Sequence, residues 1–141
     1  MTGFLLDTNV ISDTARLDPN PAVTAWLEQR AGQLFIPTMA IAEIKLGIEL
    51  LPDGRRRRAF ESWFTGIVQD GFAQSILAFD TEAALTFGRM TALARRAGRP
   101  AHVVDAQIAA VAAVHGLTVA TRDIADFAGF GVALVNPFEG P

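Results

Sequence analysis

Short apolar segments alternate along the chain with longer segments in which apolar residues recur every three to four positions. The short segments predict β-strands and the longer ones predict helices. Strands are predicted at 3–6, 34–36, 76–79, 117–120 and 132–135, and helices at 9–15, 21–29, 39–51, 55–70, 81–98 and 103–115. Because helices separate most successive strands, we predict an α/β sandwich with about five parallel strands and helices on both faces.

Three of the helix boundaries carry specific signals. Asn20 followed by Pro21 predicts a helix start, with a capping side chain and a proline in the first turn. Thr38 is expected to cap the third helix in the same way, and Gly116 is expected to end the alanine-rich helix.

Two acidic residues follow predicted strands closely. Asp7 comes directly after the first strand, and Asp123 lies three residues beyond the fourth. Ligands of parallel α/β sheets bind at the carboxyl ends of the strands. We therefore expect both carboxylates at the same edge of the sheet.

Two further carboxylates lie within helical patterns. Glu43 interrupts an otherwise apolar segment, and Asp105 occupies the first turn of the alanine-rich helix. Both are predicted to lie on or beside faces that pack against the sheet. A buried carboxylate is costly unless it is paired or bound to a metal.

Each carboxylate also has a purely structural interpretation. Asp7 could cap the short helix after it, and Asp123 could cap a turn at 124–127. Glu43 could pair with a buried arginine, and Asp105 could simply be favoured by the helix dipole. No single basic residue is placed to neutralise all four, however, and together they would raise each other's pKa. Hard oxygen donors without nearby Cys or His favour Mg²⁺ or Mn²⁺.

Length, composition and charge narrow the class of protein. The chain of 141 residues is half hydrophobic, which fits one folded domain, 1–141. It has no cysteine, no membrane-length apolar segment and no visible secretory signal, so a cytoplasmic protein is expected. The net charge of −3 argues weakly against a nucleic-acid substrate. That argument weakens if the carboxylates are gathered around metal.

Four segments, in order, resemble the motifs of the PIN-domain family. They are FLLDTNV at 4–10, TMAIAEIKLG at 38–47, DAQIAA at 105–110 and ATRDIADF at 120–127. The ending VNPF at 135–138 is similar to that of the VapC and FitB-like toxins. The resemblance implies a PIN-like three-layer sandwich and an Mg²⁺-dependent ribonuclease whose metal-activated water hydrolyses RNA. It further implies a homodimer and a cognate VapB- or FitA-like antitoxin that blocks the site.

The resemblance also assigns roles to individual residues. Catalytic and metal-binding roles fall on the acidic quartet, which comprises Asp7, Glu43, Asp105 and Asp123. The hydroxyls of Thr8 and Thr121 would hold water or phosphate, and Asn9 would shape the site. Many relatives carry Asn where this chain has Asp123, a difference that bears on how tightly a second metal binds.

Basic and histidine residues have less specific interpretations. The run that begins with Arg55 and Arg56 is either a solvated face or a contact for substrate or antitoxin. Arg122 is expected to pair with the quartet or to touch substrate. His102 has no partner at metal-ligand spacing and is interpreted as a surface or loop residue.

Other functions fit the sequence less well or stay open. Phosphatases of the haloacid-dehalogenase type need a second Asp where Asn9 stands and a downstream lysine, and Lys45 is the only lysine. A receiver domain lacks the same lysine. A DNA-directed PIN nuclease and a non-catalytic PIN module that binds RNA or a partner remain as alternatives.

Overall fold

The computed structural model describes residues 3–139, which form a central sheet between two layers of helices. The strands are β1 (Phe4–Leu6), β2 (Leu34–Pro37), β3 (Ile76–Leu77), β4 (Thr118–Ala120) and β5 (Leu134–Val135). The helices are α1 (Thr8–Asp13), α2 (Pro21–Gln29), α3 (Thr38–Glu49), α4 (Arg55–Phe64), α5 (Thr81–Arg96), α6 (Val103–His115) and α7 (Ile124–Phe127).

The five strands are parallel and lie in the order β3-β2-β1-β4-β5. The predicted α/β class and strand number are therefore confirmed. The central pair is β1 and β4, in which Leu6 is opposite Ala120. Chain segments that leave these two strands consequently start side by side at one edge of the sheet.

Helices cover both faces of the sheet because successive strand residues point in opposite directions. Leu5 packs into one apolar cluster with α5, α6 and α7, whereas Leu6 packs into a second cluster with α1, α2 and α3. Both leucines are almost completely buried. This arrangement confirms the three-layer sandwich.

Two of the three specific boundary signals are confirmed. The Asn20 side chain accepts a hydrogen bond from the Ala22 amide at 2.9 Å, and Pro21 begins α2. Gly116 ends α6 in the left-handed conformation, with φ of 66°. The expectation for Thr38 is wrong. Pro37 precedes the first residue of α3 in an extended conformation, so Thr38 already belongs to the helix and makes no cap.

Several elements are shorter than their sequence patterns predicted. Helix α4 ends at Phe64 and passes directly into a π-helix, Thr65–Gly71. Helix α1 ends at Asp13, whose buried carboxylate accepts a hydrogen bond from the Asn20 amide at 2.9 Å. Over the described range 3–139, no helix combines the length and apolar character needed to cross a bilayer.

Candidate active site

Asp7 is held rigidly where β1 ends. Its side chain is only 7% exposed. Oδ1 accepts a hydrogen bond from the Thr8 amide at 2.8 Å, and Oδ2 accepts one from the Thr121 hydroxyl at 2.8 Å. Asp7 therefore caps α1, as its structural interpretation predicted, and still presents a carboxylate at the sheet edge.

A chain of hydrogen bonds connects the end of β1 with the segment after β4. The fully buried Thr121 hydroxyl accepts a hydrogen bond from the Asp123 amide at 2.9 Å. The Asn9 side-chain amide donates to the Asp123 carboxylate at 3.0 Å, and its oxygen accepts from the Arg122 amide at 3.2 Å. Asp123 is thus positioned by Asn9 and Thr121. Its own side chain does not cap α7, so that interpretation is wrong.

Glu43 reaches the site from α3, but it is not buried. Ala40, Ile44 and Ile48 form the buried side of that helix, and Glu43 lies next to this side and is exposed. Its carboxylate accepts a hydrogen bond from the Thr8 hydroxyl at 2.9 Å. Glu43 therefore lies beside a packed face, as predicted, but outside the core. The alternative pairing with a buried arginine is wrong, since within residues 3–139 no arginine pairs with it.

Asp105 enters from the first turn of α6 and is half-buried. Burial, together with the negative charges of Asp7 and Asp126, raises its pKa to about 6, although the positive charge of His102 acts in the opposite direction. The pKa of Asp7 is also raised, first by burial, even though hydrogen bonds from Thr121 and Thr8 favour its charged form. The fold therefore holds these carboxylates together at the sheet edge although their negative charges repel one another.

The four carboxylates share one open cleft of about 600 Å³ at the carboxyl ends of β1 and β4. No Lys or Arg belongs to the part of its wall that the structure describes. That wall is formed by Asp7, Thr8, Asn9, Glu43, His102, Val103, Val104, Asp105 and Asp123. The structure thus brings together every member of the predicted quartet, whose catalytic and metal-binding roles stay predictions.

The chemistry of the donors fits a hard divalent cation. Carboxylates and the Thr8 hydroxyl face the cleft, and in the described part of its wall no Lys or Arg neutralises them. Among residues 3–139, no three acidic or histidine side chains are already close enough to bind one ion together. Glu43 and Asp123 are instead hydrogen-bonded to Thr8 and Asn9, so binding an ion would require these side chains to turn towards it.

The basic residues lie outside the cleft. The Arg122 guanidinium stacks over the Phe138 ring, 4.8 Å from its centre, and within the described range it forms no ion pair. The expected pairing with the quartet is therefore wrong. Its backbone amide, by contrast, does belong to the hydrogen-bond chain through Asn9.

Arg55 and Arg56 border an apolar channel that we call the α1–α4 groove. One part, of about 260 Å³, begins at Thr8 and Glu43 and continues over Phe60 and Trp63. A wider part, of about 860 Å³, shares Phe60 and Trp63 and ends beside Leu17. The groove therefore leads directly away from the acidic cleft.

His102 is the site residue that sequence reasoning missed. It is exposed in a loop, as expected, but it also lines the cleft. The available signal was its position three residues before Asp105, at the residue that precedes α6. His102 and Asp105 are close because both lie at the start of α6, a proximity that metal-ligand spacing does not reveal.

Comparison with known proteins agrees with this architecture. The PIN domain model matches residues 4–130. The chain is 36% identical over 137 residues to VapC ribonuclease Y4jK of Sinorhizobium fredii, covering 96% of this chain and 98% of that protein. It is also 36% identical over 137 residues to toxin FitB of Neisseria gonorrhoeae, covering 96% and 99%.

Solved structures lead to the same family. The structure of FitAB bound to an IR36 DNA fragment matches with a TM-score of 0.90 and 35% identity over 96% of this chain and 95% of that one. VapBC of Salmonella typhimurium bound to DNA matches with a TM-score of 0.79 and 26% identity, covering 97% and 99%. The chain belongs to the PIN-domain family, and the resemblance to VapC and FitB-like toxins is confirmed.

Asp105→Asn is expected to stabilise the metal-free protein at neutral pH. Because folding raises the pKa of Asp105 from 3.8 to about 6, wild-type stability should fall as the pH rises through this interval and stay lower above it. The variant's free energy of unfolding should rise by about 1 kcal/mol, which corresponds to about 3 °C in Tm. This is less than the full pKa shift would give, because the group is only half-buried and solvent screens its charge. Thermal melts in EDTA at pH 4 and pH 8 measure it, with the exposed Asp70→Asn as control. A gain that is equal at both pH values would contradict this origin.

Thr121→Val is expected to destabilise the protein by about 2 kcal/mol, because the Asp7 carboxylate loses a donor and the Asp123 amide loses an acceptor. Thr121→Ser keeps the hydroxyl and should cost only about 1 kcal/mol for the lost methyl group. Urea unfolding compares the two variants. Equal stability of the valine and wild-type proteins would show that these hydrogen bonds contribute little.

Proposed function

We propose that this protein is an Mg²⁺-dependent endoribonuclease and the toxin of a toxin–antitoxin pair. The observation that carries the proposal is the meeting of Asp7, Glu43, Asp105 and Asp123 at one cleft with no Lys or Arg in its described wall. Such a site suits a negatively charged phosphodiester substrate, because a bound cation would offset the repulsion between its phosphate and the carboxylates.

Asp7 and Asp105 would hold the ion, with Glu43 and Asp123 completing its shell directly or through water. Bound Mg²⁺ or Mn²⁺ would lower the pKa of a coordinated water and stabilise the negative charge that develops on the attacked phosphate.

The protein's own side chains position the reacting groups. Asp7 cannot rotate freely, because both of its oxygens accept hydrogen bonds. Asn9 orients Asp123, and the Thr8 hydroxyl orients Glu43. Thr8 also lines the cleft, where its hydroxyl oxygen can accept a hydrogen bond from water and would donate to a phosphate oxygen once it releases Glu43. Asp7 is therefore held in place before substrate binds, whereas Glu43 and Asp123 would turn from Thr8 and Asn9 when an ion binds.

Related proteins favour RNA as the substrate. Besides the VapC ribonuclease, a tRNA(fMet)-specific endonuclease VapC of Salmonella typhimurium is 27% identical over 127 residues, covering 90% of this chain and 91% of that protein. A DNA-directed nuclease and a non-catalytic binding module are the competing outcomes of the test below.

Purified protein is expected to cleave RNA with Mg²⁺ or Mn²⁺ and to stop in EDTA. Asp7→Asn, Glu43→Gln and Asp105→Asn should each lower kcat/KM at least about 100-fold, since each removes a ligand charge. Asp123→Asn should be milder, because asparagine keeps an oxygen for Asn9.

Matched RNA and DNA oligonucleotides serve as substrates, and circular dichroism checks that each variant folds. The exposed Asp70→Asn is the control. Undiminished RNA cleavage in excess chelator would overturn the metal dependence. Cleavage of DNA alone, or of neither polymer, would favour one of the two alternatives.

A partner protein that inserts a cation would inhibit this site. The cleft concentrates negative potential, and the α1–α4 groove continues from Thr8 and Glu43 as an apolar surface. An antitoxin segment with an arginine beside apolar residues fits both features, because the guanidinium fork binds carboxylates with two hydrogen bonds. Similar solved structures are the FitAB and VapBC complexes of a toxin with its antitoxin, which supports an antitoxin as the partner.

Binding of the antitoxin should depend on Glu43 and compete with Mg²⁺. The antitoxin candidate is the product of the neighbouring reading frame, and calorimetry measures its affinity at low and high Mg²⁺. Glu43→Gln should weaken binding about tenfold, whereas the exposed Glu82→Gln should leave it unchanged. Equal affinities under all conditions would show that the partner docks away from the cleft.

A homodimer is proposed from apolar surface on α3. Leu46 and Leu50 lie on the same side of this helix and are 61% and 76% exposed. We expect light scattering to show a dimer at micromolar concentration and Leu46→Glu with Leu50→Glu to yield a monomer. Leu17→Glu, at another exposed leucine, is the control. A monomeric wild-type protein would contradict the proposed homodimer. A double variant that stays dimeric would show that Leu46 and Leu50 do not form the interface.

A further inference from the structure

A second pocket lies next to the catalytic cleft and shares a wall with it. It encloses about 340 Å³ between the segment before α6 and the segment that runs from α7 to residue 130. His102 and Asp105 belong to both cavities. We call it the side pocket. A group bound in it would therefore lie beside a phosphate held at the quartet.

The walls of the side pocket contain an aromatic ring and two side chains of opposite charge. Phe130 is almost completely buried and lines the pocket together with Arg99 and Asp126. Asp126 is exposed, and within residues 3–139 neither charged side chain forms an ion pair at 4 Å or less. Both charges are consequently available to a ligand.

Small residues keep this pocket open. Ala101, Ala125, Ala128 and Gly129 occupy positions in its wall where longer side chains would fill it. A Cβ atom on Gly129 would stand 3.5 Å from Cδ of Arg99. The volume is at the lower end of the range for small-molecule sites, which suits one planar group rather than a polymer segment.

Guanine matches these walls better than the other bases. Its Watson–Crick edge offers two adjacent N–H donors, which a carboxylate such as Asp126 can accept together. Its O6 and N7 accept hydrogen bonds from an arginine such as Arg99. The small exposed part of the Phe130 ring offers the base an apolar contact at the pocket wall. Adenine, cytosine and uracil lack the adjacent pair of donors.

We infer that the side pocket binds a guanine base of the RNA, next to the scissile phosphate, through Asp126 and Arg99. This inference rests on the proposed ribonuclease function for its biological meaning. Binding of a guanine nucleotide in the pocket does not require catalysis, so guanine binding and ribonuclease activity can be tested and refuted separately. In this arrangement Asp126 and Arg99 determine specificity and take no part in the chemical step.

Binding is tested first without catalysis. The protein in EDTA is titrated with GMP, AMP, CMP and UMP while amide chemical shifts are followed by NMR. GMP should bind at least about tenfold more tightly than the others, with the largest shifts at 99–102 and 125–130. Asp126→Asn should abolish the preference and Arg99→Met should weaken GMP binding. Asp70→Asn and Arg96→Met, which lie outside the pocket, are the matched controls.

Cleavage is tested second, with RNA oligonucleotides that differ at one nucleotide beside the cleaved bond. The readout is the ratio of kcat/KM for the guanine substrate to that for the others, because a general effect on Asp105 or metal would change all rates alike. Wild type should prefer guanine about tenfold, and Asp126→Asn should bring the ratio close to one.

The outcomes separate the two proposals. Guanine-selective binding without RNA cleavage would keep the pocket and overturn the ribonuclease. RNA cleavage combined with equal binding of the four nucleotides, or with shifts elsewhere, would overturn the pocket and keep the ribonuclease. An unchanged guanine preference in both Asp126→Asn and Arg99→Met would likewise overturn the assignment.

Discussion

The hydrogen bond from the Thr121 hydroxyl to the Asp7 carboxylate is the interaction on which the site depends. It exists because β1 and β4 are central neighbours and Leu6 is paired with Ala120, so the residues that follow them emerge together. The same hydroxyl receives the Asp123 amide. The buried Thr121 side chain therefore positions Asp7 and Asp123 relative to each other.

Electrostatic repulsion is the cost of this arrangement and also the source of its selectivity. Burial raises the pKa of Asp7 and Asp105, and neighbouring carboxylates add to the effect. The surrounding sandwich supplies the free energy that keeps these groups together, since apolar clusters pack on both faces of the sheet. A cation or a cation-bearing partner that entered the cleft would reduce this repulsion between the carboxylates.

Two cavities extend from the acidic cleft in different directions. The α1–α4 groove begins at Thr8 and Glu43, is largely apolar and suits a protein segment. The side pocket begins at His102 and Asp105, is compact and carries both signs of charge. Partner recognition and substrate recognition would thus use different walls of one site, and each could change without disturbing the carboxylates.

Features that arise from local chemistry could be predicted from the amino-acid sequence alone. Hydrophobic periodicity predicted the five strands, Asn20 and Gly116 predicted helix ends, and the position of Asp7 after a strand predicted its sheet edge. Tertiary structure decided what depends on distant neighbours. Packing of α3 through Ile44 turned Glu43 towards the cleft and solvent rather than into the core. The placement of Asp126 beside Asp105 arises because α6 and α7 pack together, and no spacing along the chain encodes that contact.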